Sequence, residues 1–525
     1  MVPQRFADSP NYKWFATATV ILGMMGSVLS STMVNVAIPD VMGAYGIGQD
    51  QAHWMSTAML AAMPVLMLTN GWFVNNFGAR NTYVGACAIF IIASFLGQFI
   101  PNYYGLVAIR TIQGACSGLL QPLTMTVIFP LFPEEERGRA MGIYGMGFIL
   151  GPALGPTFGG LIVDHLHWQD IFGWSIPIMV VALLMGLRYL PGRHPDAPST
   201  RLNWISLVLV AVAIGTFLAA ISNGRREGWT SPEIFGLFFT SASCMLAFIS
   251  VELTTRSPLL EMRLFADRTF TISVIVGSMF GAGMFGSLYL LPIFAQQVLD
   301  YSAFKAGLLL MITGLLMIPS FPIGGRLAQY QHSGLPIALG MLMFGVSSLV
   351  LAGADINSTF WFVALWASFG RVGLSFAMPS LQTGALRRLP SDLLPYGAGS
   401  MNFVRMTGAA LGTNVIAISV ETRLSYHADH FASTQTADNP VTQDLLIKVT
   451  DMLREQGVSA LEEGPIATQY LARVVVEQSN TLAYQDGFTL LAIGFFLAAL
   501  SALALAGNPL AALRLRFAKG TAATP

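Results

Sequence analysis

The stretch that decides the fold reads Gly147-Phe148-Ile149-Leu150-Gly151-Pro152-Ala153-Leu154-Gly155-Pro156-Thr157-Phe158-Gly159-Gly160. Gly147, Gly151, Gly155 and Gly159 recur at every fourth residue, which on a helix puts them on one face. No charged residue falls between Arg139 and Asp164, so the helix carrying them spans about 139–163 and is apolar enough to cross a bilayer. A face without side chains lets another helix approach closely. Pro152 and Pro156 remove backbone donors and favour a bend. Such a helix suits a mobile contact between two bundles, and equally a tight contact that never moves.

The rest of the chain supports a membrane setting. Of 525 residues, 54% are apolar and 10% charged, against about 25% charged in an ordinary soluble protein. Mean hydropathy is +0.62. So few charges cannot cover a water-facing surface. The expected fold is an all-α polytopic membrane protein. Turn and charge signals cut it into about 14 apolar runs long enough to span. They lie near 13–38, 51–74, 81–100, 103–130, 139–163, 170–190, 204–222, 233–253, 269–297, 303–328, 334–354, 358–386, 393–420 and 482–506. This divides the chain into a six-helix unit over 1–190, a linker with two extra spans over 191–268, and a second six-helix unit over 269–525. The first run is too long for a signal-peptide core and reads as a retained helix.

Lys and Arg set the orientation. With the N-terminus in the cytoplasm, about 17 basic residues fall in cytoplasmic loops and tails and about three in short outer loops, so both termini come out cytoplasmic. The long segment 422–481 is then external and acidic, with Asp438, Asp444, Asp451, Glu455, Glu462 and Glu463 prominent. Asn439-Pro440 and Gly464-Pro465 start two amphipathic patterns, which predicts a helical hairpin over the outer mouth.

Several function classes are excluded or disfavoured. Net charge is zero, so nucleic acid is not an expected partner. Cys87, Cys116 and Cys244 sit in apolar runs without metal-ligand spacing. No hydrolase, metalloprotease or P-loop pattern occurs, so neither an enzyme nor a cofactor or metal is expected.

Ionisable residues inside spans are functional candidates by default. Here they are arginines: Arg110 in the fourth span, Arg371 in the twelfth and Arg405 in the thirteenth. At 1.5 Å per residue, Arg110 and Ser30 lie roughly 12 Å from the outer ends of their helices, and Arg371 and Arg405 near the midplane. Asn35 and Gln113 supply nearby polar groups. The balance of cost favours a structural role for Arg405, leaves Arg110 open and favours a functional one for Arg371. A cavity with arginines and no carboxylates attracts anions. Gly71-Trp72-Phe73-Val74-Asn75-Asn76-Phe77-Gly78, followed by Arg80, reads as the loop after the second span. Gly325-Arg326-Leu327-Ala328-Gln329 occupies the matching place after the tenth, a weak sign of a duplicated bundle.

These patterns resemble the major facilitator superfamily, and within it the 14-span drug:proton antiporter branch (EmrB/QacA type). Leu29-Ser30-Ser31-Thr32-Met33-Val34-Asn35-Val36-Ala37-Ile38-Pro39 is similar to that branch's first-helix signature. Arg110-Thr111-Ile112-Gln113-Gly114 is similar to its fourth-helix motif, and the glycine–proline stretch to its helix-five antiporter motif. Trp168, Ile171, Phe172 and Pro177, and later Asn402-Phe403-Val404-Arg405, also fit. The resemblance implies two six-helix bundles plus two extra helices. It implies gradient-driven antiport by alternating access, with Gly71, Asn75, Gly78 and Arg80 as a cytoplasmic gating loop. Its setting would be a bacterial inner membrane, with a periplasmic adaptor and outer-membrane channel as partners in some relatives. The chain departs from the pattern where carboxylates are expected: Ser30, Asn75 and Gln329 stand there. The expected function is export of small amphipathic or aromatic compounds, leaning to organic anions. The alternatives are an anion exchanger or importer of the same fold, or a membrane sensor or scaffold.

Overall fold

The computed structural model describes residues 11–193, 201–255, 257–329, 334–436 and 438–505. Every regular element among them is helical. In chain order the helices are α1 Tyr12–Met33, α2 Ile38–Tyr45, α3 Gln49–Leu68, α4 Asn70–Gly97, α5 Tyr103–Leu131, α6 Arg137–His165, α7 Asp170–Trp174, α8 Ile176–Tyr189, α9 Trp204–Glu227, α10 Pro232–Thr254, α11 Arg268–Gln297, α12 Ala303–Leu327, α13 Gly334–Leu351, α14 Phe360–Leu386, α15 Leu394–Thr434, α16 Pro440–Glu455 and α17 Ala460–Leu503. Thirteen described helices are long and apolar enough to cross a membrane. The shorter apolar stretch Trp54–Leu68, within α3, adds one more, which gives the count read from the sequence.

Short polar residues start many of the spans. Asn102, Asn203, Ser231, Asp267, Ser302 and Thr359 each accept a hydrogen bond from a backbone N–H in the first turn. Each bond satisfies a donor that the helix itself leaves free.

The first six spans form one bundle, in which α1 packs on α5, α6 and α8, and α5 on α3 and α4. The last six form another, in which α11 packs on α15 and α17, and α13 on α14 and α17. Two seams join them: α6 against α12 and α14, and α15 against α3, α4 and α5. The extra spans α9 and α10 pack on each other, and α9 lies along the second seam. There Val210, Ile214 and Leu218 of α9 share an apolar cluster with Met59 and Met63 of α3 and with Phe403 and Met406 of α15. The sequence assigns these two helices no task; the packing makes α9 a cover for one seam. We call the side where α1 begins and α17 ends the terminal face, and the opposite side the distal face.

Two expectations need correction. Residues 71–78 are not a loop. The second span continues as helix to Phe77, and the chain reverses on Gly78 alone, at φ 79° and ψ 161°. A left-handed backbone of this kind suits glycine, and a Cβ there would also strike the backbone of Arg193. The distal segment is not a lid over the mouth either. The helix of the thirteenth span runs on to Thr434, and the helix of the last begins at Ala460. At 1.5 Å per residue the membrane core uses about 20 residues of each, so the remainder projects from the distal face. Between them α16 packs on α17, fixed by Arg454–Glu463 at 3.1 Å, and is tied to the end of α15 by Thr442 donating to Gln435 at 2.6 Å.

Candidate functional site

The three intramembrane arginines are all buried, at 1%, 3% and 3% exposure for Arg110, Arg371 and Arg405. Among the described residues none forms a salt bridge. Their surroundings differ.

Arg110 is held inside the first bundle. Its Nη1 donates to Gln113 Oε1 at 3.0 Å and its Nη2 to the Ser31 carbonyl at 3.4 Å. Gln113 in turn donates to Ser94 at 2.9 Å. The Nε of Arg110 and the hydroxyl of Ser30 are buried without partners. The contact between α1 and α5 thus carries a charge and an orphan hydroxyl. Asn35 follows α1 in a short 3-10 turn, and its side chain lies outside the described residues.

Arg371 does not face the other bundle. It lines a small cavity with Ser287, Phe344, Ser347, Ser348 and Phe488, contributed by α11, α13 and α17 of its own bundle. Its Nη2 is buried without a partner. Its depth agrees with the residue count, but its direction does not suit the substrate contact expected of it.

Arg405 lies on the seam between the bundles. It lies eleven residues into α15, about 16 Å along the helix and close to the middle of a ~30 Å core. It reaches across the seam. Its Nη2 donates to Asn402 Oδ1 at 2.6 Å and to Gln121 Oε1 of α5 at 3.5 Å, and its guanidinium sits 4.7 Å from the Phe148 ring centroid of α6. Asn402 also contacts the Met125 sulfur of α5 at 3.0 Å. The Arg405 Nη1 is buried without a formed hydrogen bond, and the Tyr144 hydroxyl of α6 stands beside the guanidinium as a potential acceptor. A cation stacked on an aromatic face, with one donor edge open, can meet a planar anion. An orphan buried donor costs about 1–3 kcal/mol, which a bound acceptor would relieve.

The helix-five stripe makes its contact inside one bundle. Gly147, Gly151, Gly155 and Gly159 pack on Ile21, Val28, Thr32 and Met33 of α1, within the first bundle. Thr32 donates to the Gly151 carbonyl at 3.1 Å. The same helix meets the second bundle through Gly138, Gly142 and Gly145, against Phe321 and Gly325 of α12. Pro152 and Pro156 lie inside a helix that continues through them.

That second contact belongs to a closed terminal face. Gly138 and Gly325 meet backbone to backbone, and the Gln329 side chain adjoins them. On the other seam Asn70 donates to the Pro395 carbonyl at 2.9 Å, and Asn75 to the Tyr396 hydroxyl at 3.3 Å. The Tyr396 ring lies against Gly71. Arg387 bridges to Glu134 at 2.7 Å. The hydrogen bond and charge of Arg387 hold the Glu134 carboxyl below its ordinary range. Arg80 instead ties α4 to the chain after α8, donating to the Leu190 carbonyl at 2.7 Å. Of the expected gating residues, Gly71 and Asn75 cross the seam, while Gly78 and Arg80 shape the turn behind it.

A family model described as Major Facilitator Superfamily matches residues 20–413. The chain belongs to the major facilitator superfamily. Relatives include the multidrug export protein EmrB of Haemophilus influenzae, 27% identical over 481 residues, with 91% of this chain and 93% of that one covered. The fatty acid resistance protein FarB of Neisseria gonorrhoeae is 29% identical over 461 residues, covering 86% and 89%. The lincomycin resistance protein LmrB of Bacillus subtilis is 27% identical over 423 residues, covering 80% and 87%. The human organic anion transporter MFSD10 shares the fold, at TM-score 0.62 and 13% identity over 94% of this chain and all of that one.

As a member of the superfamily, the protein is a multi-pass membrane transporter with small-molecule cargo. Sequence reasoning missed the seam itself: Gly138, Phe321, Gly325, Tyr396 and the Glu134–Arg387 pair. The four-residue spacing of Gly138 and Gly142, and the adjacent Gly324 and Gly325, were the available signals, but glycine spacing does not say which helix it faces.

Proposed function

We propose that this superfamily member is a secondary exporter of the EmrB/QacA branch, in a bacterial inner membrane with both termini in the cytoplasm. It moves small amphipathic or aromatic compounds outward, organic anions above all. The two bundles rock about the seams, and a gradient drives the cycle. The observation that carries this reading is Arg405: a buried cation at mid-membrane depth that touches both bundles, has an aromatic face beneath it and an Nη1 without a formed hydrogen bond beside the Tyr144 hydroxyl. Any group bound there feels the opening and closing of the seam. The FarB name, with its fatty acid, suits an anionic amphiphile. The closed terminal face fits one limb of an alternating cycle.

Titration of the purified transporter with an aromatic carboxylate and a lipophilic cation tests the substrate class. Saturable binding of the carboxylate that falls at least tenfold in Arg405→Gln is expected; cation binding with no carboxylate binding would sink it. The exchanger reading keeps a place because Ser30, Asn75 and Gln329 are neutral where carboxylates would carry protons.

The distal projection extends the proposal to a periplasmic adaptor leading to an outer-membrane channel. Its exposed Val441, Ile447 and Met452 on α16 lie beside the acidic residues. Replacing residues 435–459 with a short Gly-Ser link should abolish co-purification of the adaptor and spare transport in vesicles. An adaptor that still co-purifies removes the projection from that role.

A further inference from the structure

We infer that Tyr144 is a specificity-determining residue of the seam: its hydroxyl donates to the same anionic headgroup that Arg405 meets, so the headgroup is an oxyanion with two acceptor oxygens, such as a carboxylate, held by one donor from each bundle. The inference rests on the reading of Arg405 as the substrate contact. Tyr144 lies seven residues beyond Arg137, the first residue of α6, and four before Phe148. That spacing puts the two rings on one face of the helix. The Arg405 guanidinium stacks on one of them, 4.7 Å from the Phe148 centroid, and stands beside the hydroxyl of the other.

Both residues are buried, at 0% exposure for Tyr144 and 3% for Arg405. Each has an atom without a formed hydrogen bond, the phenol oxygen of one and Nη1 of the other. A bond between them would satisfy only half of what is missing. A guanidinium carries five donors and no acceptor, so the Tyr144 oxygen can accept from Arg405, but Arg405 cannot take the hydroxyl proton. Among the described residues nothing else bonds that hydroxyl. Two buried donors, one neutral and one charged, therefore stand side by side without an acceptor. A water molecule would take the proton and leave the charge unmatched; an oxyanion answers both.

The neighbouring residues tie this pair to the gate. The Arg405 Nη2 is engaged by Asn402 and Gln121, at 2.6 and 3.5 Å, which fixes the guanidinium and leaves Nη1 for a ligand. Tyr144 lies between Gly142 and Gly145, which close against Phe321 of α12. Separation of α6 from α12 at the terminal face therefore moves the hydroxyl relative to Arg405, which is carried by α15 of the other bundle. A headgroup held by both donors is bound most firmly when they converge and loses one of them when the bundles shift.

Full-length protein in nanodiscs tests this, with naphthoate as the probe, titrated against wild type, Tyr144→Phe and Arg405→Gln, and with thermal unfolding of each in the absence of probe. Wild type should bind saturably. Tyr144→Phe should bind roughly tenfold or more weakly, while its probe-free midpoint equals or exceeds that of wild type, because the hydroxyl it loses had no partner. Equal or tighter binding in Tyr144→Phe, with binding to Arg405→Gln impaired, would overturn the role of Tyr144 and leave Arg405 standing. A probe-free midpoint that falls, or a Tyr144→Phe chain that does not fold, would mark the hydroxyl as part of the fold's own bonding and overturn the inference as well. Wild type that does not bind naphthoate, or Arg405→Gln that binds it unchanged, would remove the reading of Arg405 and that of Tyr144 with it.

Discussion

Replacing Gly325 with valine should hold the terminal face open. A Cβ on Gly325 would strike the Gly138 carbonyl and the Arg139 Cα, and the reverse holds for Gly138. Two backbones touch there with nothing between them, so a branched side chain fits only if α6 and α12 separate. Overpacking a tight contact costs about 1–3 kcal/mol, which lowers the closed-to-open ratio by roughly 5- to 150-fold. The strain exists only in the closed state, so it moves the balance between states rather than unfolding the chain. Spin labels on cysteines at exposed Glu135 and Gln329 would report the separation. Cys87 and Cys116 are buried and Cys244 half-buried, so replacing Cys244 clears the background. The expected result is a longer-distance population that grows relative to the short one by that factor. Gly160→Val is the control: a Cβ there meets nothing within 4 Å, and the distribution should not change. An unchanged distribution in folded Gly325→Val, or the same change in Gly160→Val, would refute the assignment of this contact as the gate.

Two further outcomes follow from the gate and from Arg110. The Glu134 carboxyl is depressed by its hydrogen bond to Arg387 and by that residue's charge; its pairing therefore favours closure above the ordinary glutamate range and is lost as pH falls through the lowered value. The long-distance population in the same label pair should rise on acidification below about pH 4.5, and Glu134→Gln should remove that rise. Separately, Ser30→Asp would place a carboxylate in the α1–α5 contact, where Arg110 has an unpartnered Nε. The variant should gain pH-dependent transport between about pH 5 and 8 that wild type lacks; a flat profile in both would remove Ser30 from any coupling role.

The broad architecture was legible because lipid leaves few choices. Backbone groups inside a bilayer must be satisfied within helices, so apolar runs and their breaks count spans directly. The second span, Trp54–Leu68, shows the method near its limit: its apolar length is short, yet the runs on either side required it. Direction within the membrane was not legible. Arg371 and Arg405 have similar depths, and only the helix rotation places one inside a bundle and the other on the seam. The same blindness left the Gly147–Gly159 stripe open between a mobile contact and a tight one, since a bare face shows that something approaches without showing what. The Gly71–Gly78 stretch was misread as a loop because its glycines and asparagines look like turn residues, while packing on Tyr396 keeps the backbone helical to Phe77. Gln121 and Asn402 were recoverable as polar residues at arginine depth; their shared partner was not.

The central claim is that anions cross at the seam through Arg405. Proteoliposomes with an interior pH dye, challenged with matched organic anions and cations as labelled compounds, test it most directly. Labelled anion uptake that exceeds cation uptake and falls at least tenfold in Arg405→Gln, but persists in Arg371→Met, is the predicted result; the dye then shows whether protons accompany it. Cation movement without anion movement, or anion transport untouched by Arg405→Gln, would contradict the account.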